Sequence, residues 1–390
     1  MTLHLSLKPD GPDFIDLPWQ LPLSEWREAC SRWVELPMGI ARHPIVFVQY
    51  GEELYAIKQN VAAACRKEYE NLRELQRLNL PAVVPIGHGS LNEGDTQASV
   101  ITQFLSHSLP YRNLFTQPNL AYYRQFLLDA MAGLLVQLHL NGVFWGDCSL
   151  SNTLFRRDAG RLQAYLVDAE TTEFHGQLSE AMRQHDLEIL AENVFGGLSD
   201  LLAGGLLPQH MDPHETVALI EHKYAHLWDK LHRAMEIPVN ERFRIREQIE
   251  RLNQLGFSVE EVEIRGDASG EIIRFKVCVT DRNYFKNRLY GLTGLEAEEN
   301  QAREFLNEIQ ECRAGLSQKR PEKVSLQEAA FHWLTRLYQP VVQALYPATQ
   351  HTDRNEAYHW FLERKWLLSE QAGHDVGRGT ALNNLLKSLA

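Results

Sequence analysis

Hydrophobic and polar residues alternate with a period of two along GEELYAIKQN, which predicts a strand carrying Leu54, Ala56 and Lys58 on one face. The period then changes. In RKEYENLRELQRLNLPAVVPIGHG, Glu68, Leu72, Leu75 and Leu78 fall at spacings of four, three and three, so a helix presents Glu68 on its leucine stripe and leaves Glu70 and Glu74 off it. PNLAYYRQFLLDAMAGLLVQLHLNG reads as one long buried helix, with Pro118 near its start and Asn141-Gly142 at its stop. Thr153 to Phe155 and Tyr165 to Val167 then read as short strands around a turn over 157–161, a hairpin that delivers Asp168 at its end.

The remaining segments carry similar signals. SEWREACSRWVELP reads as a short helix capped by Ser24. A helix starting near Asn240 ends at Gly256, and VEEVEIRGDASGEIIRFKVCVTD alternates on both arms of a glycine-rich turn, which predicts a second hairpin. Thr293 with Glu296, and Ser325 with Glu328, read as capping boxes. In DRNEAYHWFLERKWLLSEQAGHDVG, Tyr358, Phe361, Leu362, Trp366 and Leu367 form a packing face with the polar residues outside. Glu356 and His359 make a Glu-x-x-His pair, but a di-iron bundle needs a second copy and the tail has none.

These elements predict an α+β chain in three parts. Residues 1–38 form an N-terminal extension, residues 39–205 a domain with a small lobe (39–105) and a helical lobe (106–205), and residues 206–390 a C-terminal unit of helix, β-hairpin and further helices. With 390 residues, 44% of them hydrophobic and 23% charged, the chain can bury substantial cores, as two domains or as one domain with a large extension. A net charge of −12 argues against broad binding to nucleic acid or an anionic membrane. Arg313, Lys319, Arg320 and Lys323 form a local basic exception that reads as a solvated loop. No apolar run approaches the ~20 residues a membrane span needs, and MTLHLSLKPDGPDF lacks the basic start and apolar core of a secretion signal. The five cysteines are isolated and odd in number, which argues against a disulfide framework, a disulfide-linked partner or a zinc knuckle. A cytoplasmic location follows from these features. Cys148 reads as a small buried residue rather than a nucleophile.

Chemistry concentrates in NGVFWGDCSLSNTLFRRDAGRLQAYLVDAE. Its Asp147, Asn152 and Asp168 have the order and spacing of the magnesium-phosphate half of a protein-kinase-like active site. Asp147 would orient the attacking hydroxyl or accept its proton, and Asn152 and Asp168 would hold Mg²⁺ against the triphosphate of ATP. Upstream, A-x-K fits a kinase's third strand, with Lys58 for the α/β-phosphates, Ala56 over the adenine, and Glu68 pointing toward Lys58. VITQFLSHSLP would be the hinge, with Gln103, Phe104 and Leu105 passing the adenine edge and Leu154 as a further nucleotide contact. GIARHPIVFVQYG has Gly39 and then none until Gly51, so Arg42 and His43 would take up phosphate contacts that backbone amides make in a glycine-rich loop.

KEYENL…LPAVVPI resembles the regulatory helix of the RIO kinases and of lipopolysaccharide-kinase-like proteins, and GDCSLSN resembles the RIO-type catalytic loop, with Ser149 in place of lysine. The whole chain resembles a bacterial family of unassigned function described as lipopolysaccharide-kinase-like, in which WGDCSLSNTLF, LVDAET, QHDLEI and LERKWLLSEQAGHDVG recur. The resemblance implies a bilobal kinase-like fold, use of ATP and Mg²⁺, and an Asp186 that supports the catalytic loop. It also exposes departures. Trp145 replaces a bracing histidine, Gly146 an arginine that reads a phosphorylated segment, and Ala169-Glu170 the Phe-Gly after the metal aspartate. Glu170 would add a carboxylate to the metal or face solvent, and solvent is the reading adopted here. Only AETTEFHGQ separates Asp168 from the next helix, which leaves no room for a long activation segment. The acceptor hydroxyl is then expected on a small molecule or glycan-like compound, held partly by the C-terminal unit. Three functions stand: a Mg-ATP phosphotransferase, a nucleotide-binding pseudokinase signalling through the C-terminal unit, and nucleotidyl transfer from the same site.

Overall fold

Strands β1 (His4–Leu7), β2 (Trp33–Val34), β3 (Ile45–Tyr50), β4 (Glu53–Val61), β5 (Pro85–Ser90) and β6 (Gln97–Gln103) form one antiparallel sheet in the order β1-β5-β6-β4-β3-β2. Alternation along β4 sorts its two faces. Tyr55 and Ile57 are buried beside Val46 and Val48 of β3, whereas Leu54, Ala56 and Lys58 are half-buried on the other side. In this computed structural model the described residues are 3–9, 11–36, 43–92, 96–208, 211–232, 235–238, 241, 243–254, 259–266, 272–279, 283–318, 324–350 and 352–389. Gly39, Arg42, Lys319, Arg320, Lys323 and the turn of the C-terminal hairpin lie outside them.

The N-terminal segment departs from the sequence expectation of an extension. β1 pairs with β5 and β2 with β3, and Phe14, Trp19 and Trp26 pack on the Tyr55–Ile57 face of the sheet. Residues 3–9 and 11–36 therefore complete the small lobe, because a sheet needs an apolar layer over its buried face. Ser24 is not a cap. A 3₁₀ turn, Leu23–Glu25, leads into a single α-turn, α1 (Trp26–Ala29), with no side-chain cap bond.

Helix α2 (Ala62–Arg77) follows β4 directly and buries Glu68, Leu72 and Leu75 on one stripe. The next segments are β7 (Leu109–Pro110), α3 (Tyr111–Thr116) and α4 (Leu127–Leu140). The single long helix predicted from Pro118 is divided: residues Pro118–Phe126 form a 3₁₀ helix before α4 begins. Leu120, Tyr123 and Phe126 are its buried residues, and a spacing of three suits three residues per turn. β8 (Val143–Phe144) leads to the catalytic loop, β9 (Thr153–Asp158) and β10 (Arg161–Leu166) form the predicted hairpin, and β11 (Glu173–Phe174) pairs back with β8. Helix α5 (Glu180–Ala203), capped by Ser179, and α6 (Pro213–His232) complete this region.

Two compact units divide the chain: residues 1–156 with 164–227, and residues 157–163 with 228–390. The boundary expected at 205/206 thus lies at 227/228, because α6 buries Ile220, Tyr224 and Leu227 at helical spacing in the first unit. Among the described residues no helix is long and apolar enough to cross a membrane.

The second unit contains α7 (Phe243–Gln254), β12 (Met235–Pro238), β13 (Val259–Gly266) and β14 (Ile272–Val279), the strands ordered β12-β14-β13. Helices α8 (Tyr284–Thr293), α9 (Glu299–Gln318), α10 (Leu326–His332), α11 (Gln339–Leu345), α12 (Arg354–Ala372) and α13 (Arg378–Leu389) follow, with a π-helical turn, Trp333–Tyr338, between α10 and α11. Phe305, Ile309, Trp333, Tyr338, Tyr358 and Phe361 centre its core. Ser325 caps α10 by accepting from Glu328 N. Thr293 caps nothing: α8 runs through it to a left-handed Gly294, its hydroxyl donates to the Leu289 carbonyl, and α9 starts only at Glu299.

The tip of the β9–β10 hairpin belongs to this unit. Asp158 accepts from the backbone N–H groups of Asn300 and Gln301 in the first turn of α9, at 3.2 and 2.9 Å. Glu356 of α12 accepts from Ala159 N, Gly160 N and Gln301 Nε2 at 3.1, 3.2 and 2.9 Å. The expectation that the polar residues of α12 lie outside is therefore corrected. Glu356 is fully buried and His359 is bound to Glu304 at 2.7 Å, while Trp366 is 61% exposed. The Ala159-Gly160 turn is half-buried, and its backbone N–H groups find their acceptor in the buried Glu356.

Candidate active site

Lys58 stands on the half-buried face of β4, and its ammonium lies 2.9 Å from Glu68 on α2 and 2.7 Å from Asp168 after β10. The local reason is short. β4 passes into α2 without a loop, and the helical phase read from the leucine stripe turns Glu68, 2% exposed, toward the strand. Burial alone would lower Lys58, but Glu68 and Asp168 outweigh it and hold the ammonium up at about 12. Burial also pushes Glu68 up, to about 8, with Asp168 adding repulsion and Lys58 opposing both.

The sequence reading that faced Glu170 toward solvent is corrected. Glu170 is half-buried and accepts from Asn60 Nδ2 at 2.7 Å, and Glu68, Asp168 and Glu170 each present a carboxylate oxygen within 4.8 Å of the others. In the segment after β10, Asp168 and Glu170 flank one buried residue, Ala169, and both carboxylates reach the same cluster.

The catalytic loop is assembled around Asp147. Asn152 Nδ2 donates to Asp147 Oδ2 at 2.8 Å, and Asn152 N donates to Ser149 Oγ at 3.0 Å, so Ser149 shapes the loop from within. Val167 N donates to the Asn152 carbonyl, which brings the start of β9 alongside the residue preceding Asp168. Asp186 of α5 accepts from Trp145 N at 2.7 Å and Gly146 N at 2.8 Å, the supporting arrangement that the resemblance implies. Gly146 has φ +78° and a Cβ there would meet Thr171 O at 3.2 Å, so the backbone itself demands glycine where an arginine would otherwise be looked for. Trp145 is fully buried. Cys148 is fully buried as well, and burial, with Asp186 next, pushes its thiol well up, so it is no nucleophile.

Asn193 and Asn71 were not foreseen. Asn193 Nδ2 donates to the Cys148 carbonyl at 3.0 Å and approaches Asp147 Oδ1 at 3.4 Å, so the two oxygens of Asp147 each face an amide. It lies two turns after Asp186 on α5, a spacing that would have pointed to a shared face. Asn71, one turn after Glu68, donates to the carbonyls of Ala169 and Thr172 at 2.7 and 2.9 Å. Together with the β8–β11 pairing, it pins the short segment after Asp168.

The remaining candidates are placed less tightly. Ala56 lies opposite Phe47 and Thr102 on the half-buried face of β4. His43 precedes β3, next to Pro44, whose carbonyl accepts from Gln59 N. Gln103 ends β6 and donates to Glu53 at 2.8 Å, while Phe104 N is bound to the Leu54 carbonyl. Leu105 follows on the linker, and Leu154 on β9 is half-buried opposite Pro110. Arg42 lies outside the described residues.

Residues 53–201 match the lipopolysaccharide kinase (Kdo/WaaP) family. The match spans β4, α2, the loop around Asp147 and α5, and it makes this part of the chain a kinase-like phosphotransferase domain. Residues 226–389 match a domain of unknown function, DUF4032. No curated protein matches the chain. Among solved structures, similarity extends to "WaaP in complex with acyl carrier protein", at 13% identity over 65% of this chain and 99% of that one, with a TM-score of 0.38. An aminoglycoside-3'-phosphotransferase of type VIII is similar at 14% identity over 50% of this chain and 86% of that one, with a TM-score of 0.35.

Proposed function

We propose that the protein transfers the terminal phosphoryl group of ATP, with Mg²⁺, to a hydroxyl on a small molecule or glycan-like acceptor. The observation that carries this reading is Lys58 held between Glu68 and Asp168, from a strand, a helix and a loop far apart in sequence. Lys58 binds the α/β-phosphates and is kept charged by its two carboxylates. Asp147 orients the acceptor and takes its proton as the oxygen bonds to the γ-phosphorus and ADP leaves with the electron pair of the broken P–O bond. Asn152 and Asn193 fix the carboxylate that does this.

The donor set around Asp168 is all oxygen, which suits a hard divalent cation. Asp168, Asn152 and Glu170 are the residues that would hold it, and when bound it supplies neutralisation of phosphate charge. Ala56, Leu105 and Leu154 offer apolar surface to the adenine. Because the Gln103 side chain is engaged by Glu53 and its N–H by the Val84 carbonyl, any hinge contact of Gln103 would come from its own carbonyl. His43 and Arg42 are assigned to the phosphates.

The segment between Asp168 and α5 supports a compact acceptor and competence without phosphorylation. Thr171 donates its hydroxyl to the Trp145 carbonyl at 2.8 Å and Thr172 is 1% exposed, so one hydroxyl is engaged and the other buried.

The test uses ATP labelled separately at the γ and α phosphates, incubated with the full chain and a panel of hydroxyl acceptors. Movement of the γ label alone is the expected result. Movement of the α label makes the protein a nucleotidyl transferase, and binding without movement of either makes it a pseudokinase.

A further inference from the structure

Behind the catalytic loop runs a chain of buried polar groups that begins on α6. His139, in the last turn of α4, uses both ring nitrogens: Nδ1 is 2.7 Å from the Tyr224 hydroxyl and Nε2 is 3.1 Å from Asp186 Oδ2. The His139 and Asp186 side chains have no solvent exposure. Arg183, one turn before Asp186 on α5, hydrogen-bonds the Tyr224 hydroxyl.

Donor and acceptor capacity fixes the direction of this chain. A guanidinium only donates, so the Tyr224 oxygen accepts from Arg183, and because the Asp186 carboxylate calls for the proton of a neutral ring on Nε2, the phenol proton goes to His139 Nδ1. Nδ1 is then an acceptor, and the imidazole proton resides on Nε2, aimed at Asp186. A carboxylate only accepts, and Asp186 takes Nε2–H together with the N–H groups of Trp145 and Gly146.

We infer that Tyr224 is a positioning residue for phosphotransfer: with Arg183 it fixes His139 as the Nε2–H tautomer and, through Asp186, holds the backbone immediately before Asp147. Its effect on turnover rests on the proposed function, whereas the tautomer and the loop restraint do not. Tyr224 lies outside both matched segments, 53–201 and 226–389. Burial lowers His139 and keeps its ring neutral, Asp186 pulls the other way, and Arg183 reinforces the lowering. Among the described residues, charged and titratable groups facing this relay include Arg183 and Asp186 from α5, Tyr224 from α6, and Cys148, which bonds Asp186 from the loop.

Tyr224→Phe keeps the ring and removes only the hydroxyl. His139 Nδ1 loses its donor and becomes free to take a second proton, and an imidazolium draws Asp186 away from the loop amides. In ¹⁵N spectra assigned with His139→Gln, wild-type Nδ1 is expected to be unprotonated, and the variant's ring to titrate at higher pH. Hydrogen exchange at Trp145 and Gly146 should quicken about tenfold. Turnover should fall about tenfold and gain a dependence on pH near neutrality, with the ATP dissociation constant unchanged. His139→Gln, whose amide accepts from Tyr224 and donates to Asp186, should retain more turnover than His139→Phe. A wild-type Nδ1–H, or unchanged exchange at Trp145 and Gly146 in Tyr224→Phe, overturns the relay. If the wild type transfers no phosphate, the phosphotransfer reading fails, and the nitrogen and exchange measurements still decide the relay.

Discussion

The cleft around Lys58 and the hairpin clasp of the second unit both bury carboxylates, yet they satisfy them differently. In the cleft, Glu68 faces one ammonium, Lys58, and two further carboxylates, Asp168 and Glu170. In the clasp, Asp158 and Glu356 accept backbone N–H groups of α9 and of the turn at Ala159-Gly160. Burial raises the acid in each case: Glu68 to about 8, and Asp158 to about 7 with Glu298 adding to it and the amides of Gln301 and Asn300 opposing. What differs is the partner. A lysine can be shared with an incoming phosphate, whereas a backbone amide cannot leave its helix. Charges held by side chains remain available for chemistry, and charges held by amides define architecture.

The sharpest way to break this comparison is at the loop that serves the cleft. Asp147→Ala should lower turnover by about 10³, some 4 kcal/mol of transition-state stabilisation, while ATP affinity changes little. Lys58→Ala should damage both, because the proposed role of Lys58 is to bind the phosphates directly. Steady-state kinetics beside ATP titration separates the two, and an equal loss of ATP affinity in both variants would contradict the division of roles.

Stability should respond in the opposite sense. Glu356→Ala leaves Ala159 N, Gly160 N and Gln301 Nε2 without their buried acceptor and should cost about 3 kcal/mol in denaturant unfolding. Glu68→Gln removes a carboxylate that burial has already raised, so it should leave stability at pH 8 level or improved while weakening ATP binding. A Glu68→Gln variant as unstable as Glu356→Ala would remove the distinction between the regions.

The smallest effect sharpens the comparison through pH. Burial would lower His359, but Glu304 first, then Glu356 and Glu363, raise it to about 9. A histidine raised in the folded state contributes stability in full below its unfolded value near 6.5, and loses it as pH rises through about 9. The loss should be about 2 kcal/mol after allowing for residual solvent access. His359→Gln should flatten that window in unfolding curves recorded between pH 6 and pH 10, and an unchanged slope would show that His359 is not protonated in the clasp.

Local spacing carried much of this protein into view. Asp147, Asn152 and Asp168 were legible because one loop and one hairpin hold them. Lys58 and Glu68 were legible because the periods of a strand and the helix that follows it set their faces. Ser325 and Glu328 announced their cap for the same reason. Tertiary structure alone decided the roles of Asn71, Asn193, Tyr224 and Glu356, whose partners lie 98, 46, 85 and 197 residues away. On a helix each of these reads as an ordinary polar residue, and the N-terminal strands likewise read as an extension until β3 and β5 pair with them. The physical reason is common to all. Periodicity reports which face of an element is apolar, whereas a buried polar group is allowed only by the specific donor or acceptor that meets it, and that partner exists only once the chain has folded.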